Sequence, residues 1–155
     1  LYSKFIEKIK NPNISYPAYF ERAEAFEKLN RLSDTEIEYI KMLNIFKNNA
    51  GLLARTHLLL AKLFLKQNKH LLAMKELERL VKSNADSAEL VEYAEIYAEA
   101  YYLLWSNYYR ISGISNYEKS YNSFKKLATL FPESRFAESA RKMAKYLKNN
   151  YVEYR

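Results

Sequence analysis

Cysteine is absent from the 155-residue chain. That excludes disulfides, thiolate nucleophiles and Cys-ligated zinc, and it says nothing of compartment. Glycine occurs twice and proline three times. So few turn-formers leave little room for hairpins or long loops, and no Gly-rich phosphate-binding loop can be assembled. Long apolar runs are also missing. Leu52 to Leu65 comes closest, but Arg55, His57 and Lys62 interrupt it, so no stretch suits a bilayer span. The two histidines, His57 and His70, fall on different helical segments with no carboxylate at ligand spacing. Neither a metal site nor a Ser-His-Asp grouping has a foothold there. The pairs Glu76/Glu78 and Glu92/Glu95 read as solvated faces, and no catalytic residue, metal or cofactor is expected.

What the chain does have is 49% apolar and 15% aromatic residues, which excludes a disordered chain and, with straight-chain residues abundant, points to an all-α fold. Net charge is +7 and unevenly spread. Residues 1–50 and 51–111 each carry eight Lys/Arg against seven Asp/Glu, whereas 112–155 carry nine against four. The basic end suits acidic protein, anionic lipid or nucleic acid, or is a solvated helix face. The chain begins at Leu1 and is read as a piece of a longer protein, which leaves room upstream for a signal peptide or lipid-attachment site.

In chain order, Tyr2, Phe5, Ile6 and Ile9 sit at helical spacing in an N-terminal packing segment (1–15). Ser15-Tyr16-Pro17 signals a first helix, with Tyr19, Phe20, Ala23, Phe26 and Leu29 inward. Ser33-Asp34-Thr35-Glu36 opens a second helix, with Ile37, Ile40, Leu43 and Phe46 inward, and Gly51 closes it. A third helix runs over 52–66 and breaks at Asn68, and a fourth covers 70–82. Asp86-Ser87 caps a fifth, expected from Ala88 to Tyr109. After the Ser112-Gly113 loop, a sixth helix spans 117–130, and Pro132 ends it. Ser134 caps a seventh, with Phe136, Ala137, Ala140, Ala144 and Leu147 on one face. A loose tail follows Asn149-Asn150.

The helices come in repeating pairs. Lys47-Asn48-Asn49-Ala50-Gly51 and Lys82-Ser83-Asn84-Ala85-Asp86 align at an offset of 35, each after an apolar pair (Ile45-Phe46, Leu80-Val81). Leu130-Phe131-Pro132 closes a third pair. The pairs fall near 16–50, 51–85 and 87–132, with a capping helix over 134–150 and a tail at 151–155. This period resembles that of the tetratricopeptide repeat family. Ala61 and Ala73 fit its small helix-crossing positions, followed by Leu77 and Leu80; Ser120, Phe124, Leu127 and Pro132 fit the corresponding places of the next pair. Phe131-Pro132-Glu133-Ser134-Arg135-Phe136-Ala137-Glu138-Ser139-Ala140 is similar to a stretch of bacterial periplasmic tetratricopeptide proteins, among them outer-membrane-assembly lipoproteins and a cell-division coordinator. The resemblance implies a right-handed solenoid of about three helix hairpins plus a C-terminal capping helix. It also implies a periplasmic or cell-envelope location, with the cytoplasm as the alternative, and a non-catalytic role in binding another envelope protein.

Within that frame the fifth helix is the candidate contact surface. Tyr93, Tyr97, Tyr101, Trp105 and Tyr108 form a ladder beside an acidic strip of Glu92, Glu95 and Glu99. Tyr and Trp offer large rigid area with a polar tip, as at interface hot spots. A ladder at this spacing also suits a helix core. Tyr102 and Tyr109 lie off the line, so one aromatic side needs a cover: an intramolecular lid or a partner. Two further readings stay open. The basic seventh helix (Arg141, Lys142, Lys145, Lys148, beside Tyr146 and Tyr151) suits nucleic acid. An uncapped end would allow self-association into a homo-oligomer.

Overall fold

The computed structural model describes residues 10–83, 93–110 and 114–152. Every regular element among them is helical: α1 (Pro12–Lys28), α2 (Leu32–Ile45), α3 (Ala50–Lys66), α4 (His70–Ser83), α5 (Ala94–Arg110), α6 (Ile114–Leu130) and α7 (Ala137–Leu147), then a π-helical turn (Lys148–Val152). None of them is long and apolar enough to cross a membrane. The segment 1–9, the Asp86-Ser87 cap and the Ser112-Gly113 loop lie outside the described residues. The chain divides into two compact units, Leu1–Asn68 and Lys69–Arg155.

In the first unit α1 begins earlier than Ser15. The Asn11 side chain accepts a hydrogen bond from the Asn13 N–H at 3.0 Å and caps the helix, leaving Pro17 inside it. The bond that Pro17 cannot donate would reach the carbonyl of Asn13, an exposed residue that water can serve. α1 and α3 both stop at an asparagine in the left-handed region, Asn30 and Asn68 (φ 57° each). Asparagine tolerates that conformation better than other residues bearing a side chain, so it does here what glycine usually does. Gly51 does not end α2. It is buried in the first turn of α3, where Asn49 caps by accepting from the Leu52 N–H at 3.0 Å.

The inward face of α2 departs from the aliphatic pattern. Phe46 is buried, but Ile37 and Ile40 are 51% and 52% exposed, and the buried residues are instead Thr35, Glu38, Tyr39 and Met42. Two effects turn the helix this way. Tyr39 and Met42 bury large side chains, and Arg22 on α1 donates from Nε and Nη2 to Glu38 Oε2 at 2.9 and 2.6 Å, so Glu38 is buried as a paired charge. Similarly, Leu29 on α1 is exposed rather than inward.

The contacts also fix direction. Tyr16 meets Phe46 edge-on and Arg22 meets Glu38, so α1 and α2 run antiparallel. Tyr16 meets Thr56, and Glu27 meets Lys66 at 3.0 Å, so α3 runs beside α1 in the same direction. The Thr56 hydroxyl donates to the Leu52 carbonyl at 2.7 Å, so it accepts from the Tyr16 hydroxyl at 3.1 Å. Burial raises the Tyr16 phenol above its ordinary pKa despite that bond.

In the second unit each helix packs on its neighbour in sequence: α4 on α5, α5 on α6, α6 on α7. Asn107 joins α5 to the start of α4, donating from Nδ2 to the His70 carbonyl at 2.8 Å while its Oδ1 lies 3.2 Å from His70 Nδ1. Trp105 against Phe124 (4.4 Å), Tyr97 against Phe131 (6.5 Å) and Lys119 over Tyr108 (5.6 Å) make α5 and α6 an antiparallel pair. α7 starts at Ala137, later than expected. Ser134 does not cap it but sits in the preceding turn, its N–H donating to the Phe131 carbonyl at 3.1 Å. The chain beyond Asn149-Asn150 is not loose as far as Tyr151, whose ring stacks on Tyr117 at 4.3 Å.

Candidate protein-binding face

The aromatic ladder of α5 mostly packs inside the second unit. Tyr97, Tyr101 and Tyr108 are buried, and Trp105 and Tyr93 are half-buried. Tyr97 lies parallel to Phe131, and Tyr101 is 6.2 Å from the same ring. The Tyr108 hydroxyl donates to Glu78 on α4, and burial, reinforced by that carboxylate, pushes its pKa well above the ordinary tyrosine value. Trp105 and Tyr102 both pack on Phe124, and Tyr102 also meets Phe136 at 5.1 Å. The cover over Tyr97, Tyr101, Tyr102 and Trp105 is therefore intramolecular, supplied by α6 and the turn from Phe131 to Phe136, while the Tyr109 side chain lies outside what the structure describes. As a partner-facing ladder the sequence reading is corrected: Tyr97, Tyr101 and Tyr108 are core. The exchange is favourable because a buried aromatic pair adds roughly 0.5–1.5 kcal/mol to its area term.

The acidic strip is partly open. Glu92 lies outside the described residues, whereas the Glu95 side chain is 59% exposed and Glu99 is half-buried. Arg135, from the turn before α7, approaches both at 3.7 and 3.6 Å. At such a length, and with the Glu95 side chain 59% exposed, the Arg135–Glu95 pair contributes little and leaves Glu95 able to take another cation.

Beside Glu95 lies a cleft of about 250 Å³ lined by Ala94, Leu130, Phe131, Pro132, Glu133 and Ser134. Its floor is apolar and its rim carries two carboxylates, Glu95 and Glu133. Ser134 Oγ is shielded from solvent and makes no hydrogen bond among the described groups. A cavity of roughly 150 Å³ holds a benzene-sized group, so this one has room for a Leu- or Phe-sized side chain. The sequence marks Leu130-Phe131-Pro132 as a repeat end. Nothing in the spacing says that the turn's back wall, set against the first turn of α5, leaves a hollow.

The basic residues Arg141, Lys142, Lys145 and Lys148 are all exposed, on α7 and the π-turn. Lys142 meets Glu138 at 2.7 Å, and that hydrogen bond holds the Glu138 carboxyl below its usual range. No group of three or more His, Asp or Glu side chains among the described residues has the arrangement of a metal site. No family model matches the chain, and neither does any curated protein.

Proposed function

We propose that this protein is a non-catalytic scaffold of the tetratricopeptide-like kind that binds another polypeptide through the cleft beside Glu95. The observation that carries the reading is this apolar hollow with an acidic rim and an unsatisfied buried hydroxyl, held by a rigid aromatic core. A preformed site costs its ligand less ordering on binding. The chemistry selects a segment that brings one large apolar side chain with Lys or Arg beside it. The reading is supported by the antiparallel α1–α2 and α5–α6 pairs, one in each unit, and by Ala61, Ala73 and Ser120, all fully buried at positions where the family needs small residues. The resemblance of the stretch from Phe131 to Leu147 supports a bacterial envelope setting with an envelope protein as partner.

The test is a photo-crosslinking residue placed at Glu133 in the native cell, with Lys28 as the control position. The proposal expects one protein joined from Glu133 and lost when Glu95→Lys is added. Equal products from Glu133 and Lys28 would overturn it.

A further inference from the structure

A second surface lies on α7, away from the residues that line the cleft. Arg141, Lys145 and Lys148 recur at i, i+4 and i+7 and share one exposed stripe, with Lys142 and Tyr146 along the adjoining one. Tyr146 is 45% exposed. The opposite face of the helix is spent: Ala137, Ala140 and Leu147 are buried in the second unit.

We propose that this face is an electrostatic docking surface for the anionic headgroups of a lipid bilayer. A helix and its following turn carrying cations in a row suit a plane of negative charge. Its apolar face, Ala137, Ala140 and Leu147, is already buried, so it lies on the membrane without entering it, unlike an interfacial amphipathic helix. Tyrosine at the margin suits the boundary between wet headgroups and apolar chains. Single-stranded nucleic acid would need a groove and several open rings to stack on. Tyr117 and Tyr151 are stacked on each other and Tyr146 meets Tyr151 edge-on at 6.0 Å, so among the described residues this face offers no run of open rings.

Each cation near an anionic leaflet strengthens binding about fivefold, so neutralising two of them costs about 25-fold. The experiment is co-sedimentation of the full chain with vesicles of phosphatidylcholine, with and without phosphatidylglycerol. Binding is expected only with phosphatidylglycerol, and it fades as salt is raised from about 0.05 M to about 0.3 M. Arg141→Gln with Lys145→Gln should weaken it about 25-fold with circular dichroism unchanged, because both side chains are exposed. Lys28→Gln with Lys47→Gln removes the same net charge from exposed positions of the first unit and should leave binding intact. Equal losses from the two pairs, equal binding to neutral vesicles, or capture of labelled oligouridylate in place of vesicles would each overturn the proposal.

Discussion

Phe131→Ala is the substitution that probes the second unit most sharply. The ring is buried at the end of α6, parallel to Tyr97 at 6.5 Å and tilted against Tyr101 at 6.2 Å. Truncating a buried Phe costs about 3–5 kcal/mol. The two aromatic pairs share one ring and overlap that figure, so they are not added to it. Because the residue stands in a turn that can partly collapse, the expected loss is at the lower end, about 3 kcal/mol. If the whole chain melts as one transition, that lowers Tm by about 6–12 °C; if the second unit melts alone, the drop roughly doubles. Calorimetry and urea titration of the wild type, Phe131→Ala and Phe131→Leu would measure it. Leucine nearly refills the volume and should lose only about 1 kcal/mol. A loss under about 1 kcal/mol for the alanine variant, with an unchanged urea slope, would refute the aromatic core described here.

Two other expectations concern the first unit and the buried phenols. Glu38→Ala leaves Arg22 half-buried without its carboxylate. Since the Arg22 side chain keeps some contact with water, the expected cost is about 2 kcal/mol rather than the 3–5 of a fully buried pair, read from the urea midpoint. Tyr39 and Tyr108 have phenols raised mainly by burial. Their neutral forms are favoured in the fold, so their contribution is fully present below an unfolded pKa of about 10 and is lost as pH climbs beyond it. Tyrosinate absorbance and circular dichroism should then change together above that pH; ionisation of every tyrosine with the helices intact would contradict the burial.

Much of the helical layout was legible because the breakers act locally. Asn68 and Pro132 end helices through backbone conformation or a missing donor, and those signals survive without tertiary information. The face of α2 was not legible. Counting aliphatic side chains selects Ile37 and Ile40, while the fold buries Tyr39, Met42 and a charge whose partner, Arg22, lies on another helix. The α5 ladder shows the same limit from the other side. Periodicity identified Tyr97, Tyr101 and Tyr108 as one stripe, but only the positions of Phe131, of Glu78 on α4 and of Lys119 on α6 decide that the stripe faces inward. Tyr97→Ala is therefore a core substitution. The cleft depends on a turn meeting the first residues of a helix far away in sequence, and no local pattern encodes that meeting.

The most direct measurement is a peptide-display selection on the folded protein, with Glu95→Lys/Glu133→Lys as counter-target and the winner titrated by NMR. The account predicts peptides joining a large apolar residue to Arg or Lys, with amide shifts concentrated at Ala94, Glu95 and the turn from Phe131 to Ser134, and little binding to the double variant. Peptides that bind both proteins alike, or that shift residues elsewhere, would contradict it.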